Sequence, residues 1–279
     1  MHIVCCIKQV PDTTQVKIDP ETNTLIRAGV ESICNPYDLV AAEAAVQLKE
    51  KYGGKVTVIT MGPPQAESAL RDCLALGVDE AILLSDRAFA GADTLATSYT
   101  LAQAITNISA TEPVDLVLCG KQAIDGDTAQ TGPGIATRLG YNQFTYVSQV
   151  VGVSPEKKTI TVRREVEGGS EIIEGSLPAL LTVELELSTP RYASLPSLVR
   201  AIRQEVKVWG ASNTGAAPDR LGLKGSPTSV NKIFIPPVRS GGQKFDTTES
   251  KDNVIDTFIN AFFDKESGLV KELYGKDRV

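Results

Sequence analysis

The sequence predicts a doubly wound α/β fold: a mainly parallel sheet with helices on both faces, added antiparallel hairpins and a long C-terminal extension. Three observations point there. Apolar runs of strand length alternate with stretches of helical period, the signature of βαβ units. The runs are rich in Val, Ile and Leu at successive positions, so both faces of each strand are buried. Cap and stop residues fall between the two kinds of stretch.

"HIVCCIKQV", "KVTVITMG", "EAILLSD" and "DLVLCGKQ" read as strands. "DLVAAEAAVQLKEKYG", "QAESALRDCLALG" and "DTLATSYTLAQAITNI" read as the helices beside them. Asp38 and Asp93 stand where N-caps belong, and Gly53 and Gly77 where helices stop. Pro133 cannot sit deep in a helix, so the helix carrying Ile135, Ala136 and Leu139 begins within a turn of it. After Gly140, "YVSQVVGVS", "TITVRREVEGG", "SEIIEGSLPA" and "LLTVELELS" read as four short strands forming hairpins added to the sheet, with turns at Ser154 to Glu156, Gly168-Gly169 and Leu177-Pro178. From Thr189 the chain is rich in Gly, Pro, Ser and Thr, with one helix near Pro196 to Glu205; so long a loop-rich stretch is unusual inside a compact domain and is expected to lie over a partner subunit. Closing helices are expected from Asp252 to Phe263 and from Ser267 to Tyr274. The division expected is residues 1–188 as an α/β nucleotide-binding domain with hairpins, and 189–279 as a partner-recognition loop and C-terminal arm.

Composition excludes several classes of function. The chain has 279 residues, 42% hydrophobic and 22% charged, enough for a substantial core. Its formal charge of −6 gives no global attraction to nucleic acid or an anionic membrane. No apolar run approaches the roughly 20 residues needed to span a bilayer, and the opening "MHIVCCIKQV" lacks a signal peptide's basic start and cleavage site. No membrane insertion and a cytoplasmic location are expected. The five cysteines, Cys5, Cys6, Cys34, Cys73 and Cys119, include no C-x-x-C pair and read as small hydrophobes. His2 is the one histidine, which removes His-based triads and HExxH zinc sites, so chemistry must come largely from a cofactor.

Ligands of open α/β sheets bind at the carboxyl ends of strands near a switch point. Four segments should converge there: Cys6 to Lys8, Asn35-Pro36-Tyr37-Asp38, Thr60 to Pro64 and the loop "GKQAIDGDTAQTGPGIATRLG". Glycines 120, 126, 132 and 134 would let backbone amides approach a ligand, and an amide-lined turn before a helix suits a phosphate. Asp127, Thr128, Gln130 and Thr131 stand at the helix mouth, where N-capping and ligand binding are both open readings. Asp125 and Asp127 would repel a phosphate and are expected on ribose hydroxyls or backbone amides. Neither G-x-G-x-x-G nor G-x-x-x-x-G-K-[ST] occurs. Asn35 to Asp38 is also readable as a simple turn and cap, and Met61 as core. "PRYASLP" leads into a helix with Arg200 and Arg203 and sets an apolar anchor at Leu195 beside cations, a combination used in partner recognition.

These residues resemble the beta subunit of electron-transfer flavoproteins. "IKQVPDT", "NPYD", "ALGVDEAILL", "DLVLCGKQAIDGDTAQTG", "REVEGGSE", "LPALLTVELEL" and "PRYASLP" occur in family order along nearly the whole chain. The resemblance implies a Rossmann-like, adenine-nucleotide-binding fold and a heterodimer with an FAD-carrying alpha subunit. It also implies a second nucleotide site in this chain, holding AMP in one branch and FAD in the electron-bifurcating branch. Carried over by motif, that site is Cys6, Asn35, Pro36, Tyr37, Asp38, Met61, Gly120, Lys121, Gln122, Ala123, Ile124, Asp125, Gly126, Asp127, Thr128, Ala129, Gln130 and Thr131. AMP-type members have a more acidic loop centre followed by Asn, whereas Gly126, Thr128 and Ala129 followed by Gly132-Pro133 look like the bifurcating type. The small side chains also leave room for a diphosphate and a flavin.

In that branch NADH gives a hydride to the beta-site flavin. One electron goes to ferredoxin or flavodoxin, and the other passes through the alpha-subunit FAD to a flavin dehydrogenase such as an acyl-CoA dehydrogenase. No side chain is expected to act as a catalytic acid or base. Partner recognition is carried over to Arg191, Tyr192, Leu195 and Arg200. The family's recognition helix is usually lysine-rich, and "SLVRAIRQEV" departs from it, which puts the usual dehydrogenase docking in doubt. The rival readings are the same fold with structural AMP, and a stand-alone ATP-binding α/β module.

Overall fold

A computed structural model describes residues 1–12, 17–18, 25–26, 31–229, 244–245 and 251–265. The chain divides into two compact units, Met1–Lys232 and Ile233–Val279. The boundary expected after residue 188 does not coincide with this division, because the segment that follows packs into the first unit.

In that unit β1 (His2–Cys6) leads through two short strands, β2 (Gln9–Pro11) and β5 (Ser32–Cys34), which pair antiparallel. Between them β3 (Lys17–Ile18) and β4 (Leu25–Ile26) form a second small ladder. Then come α1 (Pro36–Tyr52), β6 (Lys55–Met61), α2 (Glu67–Leu76), β7 (Glu80–Leu84), α3 (Thr94–Thr111), β8 (Leu116–Gly120) and α4 (Thr131–Leu139). β9 (Asn142–Ser154), β10 (Thr159–Val166), β11 (Gly169–Ser176) and β12 (Ala179–Val183) follow, and α5 (Leu195–Arg203), β13 (Val206–Trp209) and α6 (Ala211–Thr214) close the unit.

The main sheet has nine strands in the order β11-β10-β9-β12-β8-β1-β6-β7-β13. Seven of them, β9 to β13 across the centre, run parallel; only β10 and its pairings with β9 and β11 are antiparallel. The expected doubly wound α/β architecture is thus present. Alternation along each strand feeds two cores. Ile3, Cys5, Leu116 and Leu118 pack with α1 and α2 on one face. Val4, Cys6, Val117 and Cys119 pack with α3 and α4 on the other. All five cysteines are buried and free, as their apolar settings predict.

Three expectations need correction. β12 is not part of a hairpin: it lies parallel between β8 and β9, fully buried, so only β9 to β11 form the antiparallel edge. "VKVW", expected as part of the irregular stretch, is an edge strand pairing with β7. Asp38 is not an N-cap. Asn35-Pro36 starts α1 three residues earlier, with Pro at the first helical position, where its missing N–H costs nothing. Asp93 does cap α3, accepting from the backbone N–H of Leu95 and Ala96, and Gly53 and Gly77 do end helices at positive φ.

The described part of the second unit is Lys244, Phe245 and α7 (Lys251–Lys265), matching the expected helix from Asp252. Phe258 stacks with Phe262 and meets Phe245 edge-on, at centroid distances of 6.4 and 5.5 Å. The helix expected at Ser267 to Tyr274 lies outside the described residues.

Candidate functional site

β1 sits between β6, reached by the first crossover, and β8, reached only after the chain has returned past β7. The topology therefore switches direction between β1 and β8, which lie in register at Cys6 and Cys119. A crevice must open where connections leave in opposite directions, and it opens at the carboxyl ends of these two strands.

The start of α1 fastens that crevice together. The Asp38 carboxylate accepts from the backbone N–H of Gly120 at 2.8 Å and of Lys8 at 2.8 Å, joining the ends of β8 and β1. Asn35, at the helix N-cap, makes no capping bond; its amide reaches the loop after β8 instead. Nδ2 donates to the Gln122 carbonyl at 2.8 Å and Oδ1 accepts from the Ile124 N–H at 3.2 Å. Pro36 and Tyr37 are half-buried beside it. On the other side Thr60 donates to the Ile7 carbonyl at 2.8 Å, holding β6 to β1, with Met61 half-buried against the core. The four segments expected to converge do so.

Burial pushes the Asp38 carboxyl up to about 7, against the opposing pull of the Asn35, Gly120 and Lys8 hydrogen bonds. Below that value the folded chain binds a proton that the unfolded chain, titrating near 3.8, has already released. Folding stability should therefore fall as pH rises from about 4 to about 7 and level off above. The carboxyl carbon of Asp38, followed by NMR, should titrate near pH 7, and Asp38→Asn should flatten that part of the stability profile. A midpoint below 4.5 would refute this.

The loop from Lys121 to Gln130 is pinned at its ends and open at its centre. The Lys121 N–H donates to the Val183 carbonyl at 3.0 Å. Its ammonium pairs with Glu184 at 2.9 Å and lies over the rings of Tyr37 and Tyr146, at 5.4 and 5.6 Å. Burial works against this cation, and Glu184 outweighs it, leaving its pKa above the ordinary lysine value. Ala123 and Gly126 close a tight turn through one backbone bond of 3.2 Å. Asp125, Gly126, Asp127 and Thr128 are exposed. Thr128 Oγ1 lies 3.4 Å from Thr94 Oγ1 at the start of α3. Ala129 takes a left-handed φ of 55°, turning the chain so that Gln130 stands at the N-cap position of α4, with no side-chain capping bond, and Thr131 begins the helix. A helix start presents N–H groups without intrahelical partners, the ordinary seat of a phosphate.

Gly120, Gly132 and Gly134 stand where packing leaves no room for a side chain. A Cβ on Gly120 would lie 2.5 Å from Asp38 Oδ1, one on Gly132 2.8 Å from Cys119 Sγ, and one on Gly134 2.7 Å from Ser98 Oγ. Of glycines 120, 126, 132 and 134, Gly126 is the one with nothing within 4 Å, and it keeps the loop centre clear. Asp125 pairs with Lys8 at 2.7 Å. Glu184, Tyr146 and Thr94 belong to this constellation and were not singled out from sequence, whereas Lys8 ends the Cys6 to Lys8 segment expected at this edge. Lys8 follows a strand, a signal that was available; the other three reach the loop from distant parts of the chain.

Partner-recognition residues separate into two groups. The Arg191 guanidinium folds back on α1, bonding Glu43 at 2.9 to 3.0 Å and Glu50 at 2.7 to 3.0 Å. Tyr192 and Leu195 stand free, 102% and 74% exposed. Ser194 caps α5, and Ala201 seats the helix on α2. Leu195, Leu198, Val199 and Ile202, at the i, i+3, i+4, i+7 spacing of one helix face, are all exposed, as is Arg200. Among the described residues no cluster of three or more metal-ligating side chains occurs, and no helix is long and apolar enough to cross a membrane.

A family model described as an electron transfer flavoprotein domain matches residues 22–213. The chain belongs to the electron-transfer flavoprotein family. It is 51% identical over 278 residues to a protein named FixA from Azotobacter vinelandii, covering 98% of each chain. It is 52% identical over 244 residues to the caffeyl-CoA reductase-Etf complex subunit CarD of Acetobacterium woodii, covering 87% of this chain and 91% of that one. It is also similar, at 51% over 246 residues, to the electron transfer flavoprotein subunit beta of Clostridium acetobutylicum, covering 88% and 92%. Within the family it is a beta subunit, and its fold is the one those motifs implied.

Proposed function

We propose that this beta subunit pairs with an electron-transfer flavoprotein alpha subunit and holds an FAD of its own at the loop after β8. The observation that carries the reading is the open centre of that loop at the topological switch point: Gly126 with empty space around it, flanked by exposed Asp125, Asp127 and Thr128, ahead of the free N-terminus of α4. A bulky acidic loop centre would fill the space that a diphosphate and flavin require.

FAD, when bound, supplies the hydride and one-electron chemistry that no side chain here can provide. This chain's residues would position it. The α4 start and the Thr128 and Thr131 hydroxyls suit phosphate, Asn35 and Asp38 keep the loop seated on the strands, and the Lys121 ammonium sets a fixed positive charge beside Tyr37 and Tyr146. With NADH as donor, such a site would send one electron to ferredoxin or flavodoxin and the other through the alpha-subunit FAD. Tyr192, Leu195 and the apolar stripe of α5 are suited to docking a flavin dehydrogenase, such as an acyl-CoA dehydrogenase, because they are large, apolar and already out of the core. Arg191 is not offered for that role, since its donors are taken up within the chain.

The reading is tested by co-expressing the chain with its alpha partner, denaturing the purified complex and counting the released nucleotides. Two FAD per heterodimer and no AMP are expected, together with NADH-dependent ferredoxin reduction. One FAD and one AMP would leave this chain a structural nucleotide binder and end the bifurcation proposal.

A further inference from the structure

A cavity of about 310 Å³ lies on the α3 side of the sheet. Its floor is the first turns of α3, at Leu95 and Tyr99; Arg138 of α4 forms one wall, and Asp219, Arg220 and Lys224 cover it. The cover is fixed in place. Leu223 N–H bonds the Ala90 carbonyl at 3.0 Å, and Ser226 accepts from the Asp93 N–H at 2.8 Å. The hydroxyl and N–H of Thr228 bond the Asp93 carboxylate at 2.8 and 3.1 Å, so that carboxylate is already engaged. Gly222 lies so close to the 88–90 turn that a Cβ there would meet the Ala88 carbonyl at 2.2 Å.

Three cations line this cavity against one carboxylate. Among the described residues none of Arg138, Arg220 and Lys224 forms an ion pair. Arg138 is half-buried, its Nε is enclosed without any hydrogen-bond partner, and its Nη atoms bond only the Gly134 and Leu95 carbonyls. The Arg220 guanidinium carbon lies over the Tyr99 ring, 3.9 Å from its centroid. Burial first, and then the positive charge of Arg220, hold Arg138 below the ordinary arginine value. Two guanidinium groups and an ammonium gathered around a cavity with a single carboxylate call for an anion. The volume exceeds what a bare anion needs and reaches the lower end of small-ligand pockets.

We propose that this cavity binds a phosphoryl group, gripped by Arg138, Arg220 and Lys224, with its organic body against Leu95. The contact of Thr94 with Thr128 sets the cavity beside the loop after β8, so the phosphoryl group belongs either to a nucleotide held there or to a separate phosphorylated small molecule. The proposal stands whether or not that loop holds FAD. It is tested by calorimetric titration of inorganic pyrophosphate into the purified complex with the alpha subunit, before and after nucleotide is removed with potassium bromide, in wild type, Arg220→Gln and Lys224→Gln. Both side chains are exposed, so unchanged melting temperatures are expected to show the variants folded.

Saturable binding that weakens at least about tenfold in each variant is expected. If it appears only after stripping, and the variants also retain less nucleotide, the phosphoryl group is the nucleotide's own. If it appears in both preparations with nucleotide retention unchanged, the ligand is separate. No saturable binding in either preparation, or equal affinity in wild type and both variants, would overturn the proposal.

Discussion

Gly120→Ala is expected to cost roughly 3 kcal/mol of stability and to empty the nucleotide site proposed here for the complex with the alpha subunit. The added Cβ would lie 2.5 Å from both Asp38 Oδ1 and Tyr37 Cβ, and 2.9 Å from the Tyr37 carbonyl carbon. Neither neighbour can yield easily. Tyr37 is helix backbone in the first turn of α1, and the Asp38 carboxylate is already engaged by the N–H groups of Gly120 and Lys8. Relief requires α1 to move away from β8, which breaks the joint between the two strand ends that define the crevice. Urea unfolding of the complex, with nucleotide counted after gel filtration, checks both effects. Gly126→Ala is the control: with nothing within 4 Å it should change stability by no more than about 0.5 kcal/mol. Equal losses in the two variants would show that the close approach at Gly120 is unimportant.

The contrast between those glycines shows where the sequence was legible and where it was not. Helix ends were readable because they depend on local chemistry: Asp93 is followed by its own receiving N–H groups, and Gly53 and Gly77 adopt positive φ that other residues resist. The parallel core was readable because strands buried on both faces cannot alternate apolar and polar residues. β12 was misplaced because its neighbours in sequence are hairpin strands while its neighbours in space are β8 and β9, and nothing within "ALLTV" encodes the choice. Asp38 looked like a cap from its position before an apolar run; its carboxylate instead bonds residues 30 and 82 positions away. The loop after β8 was recognisable by composition. Which of its glycines faced space and which faced a side chain depended on α1, α3 and β12, which composition does not locate.

Arg191→Met is expected to cost about 3 kcal/mol, although the arginine lies on the surface and looks suited to partner recognition. The reason is Glu43, whose side chain is 2% exposed and whose carboxylate receives the Arg191 Nε, Nη2 and backbone N–H. Without the guanidinium, Glu43 keeps the Gln47 amide at 2.8 Å as a side-chain donor and remains a buried charge beneath α1. Glu50, which first in importance holds the Arg191 cation well above its ordinary pKa, is largely exposed and adds little by itself. The two partners are therefore unequal. Glu43→Gln removes the buried charge and leaves Arg191 bonded to Glu50 and to the one carbonyl oxygen remaining at position 43, so it should cost about 1 kcal/mol, and adding Arg191→Met to it should cost little more. A double-mutant cycle by chemical unfolding measures this, and equal, additive losses for the two single variants would contradict it. The same pair ties the "PRYASLP" turn to α1 across 148 residues of sequence, so it also sets the direction in which Tyr192 and Leu195 leave the surface. Arg191→Met should therefore weaken electron delivery to the docking partner even where the protein remains folded, while Glu43→Gln, which keeps hydrogen bonding to Arg191, should not.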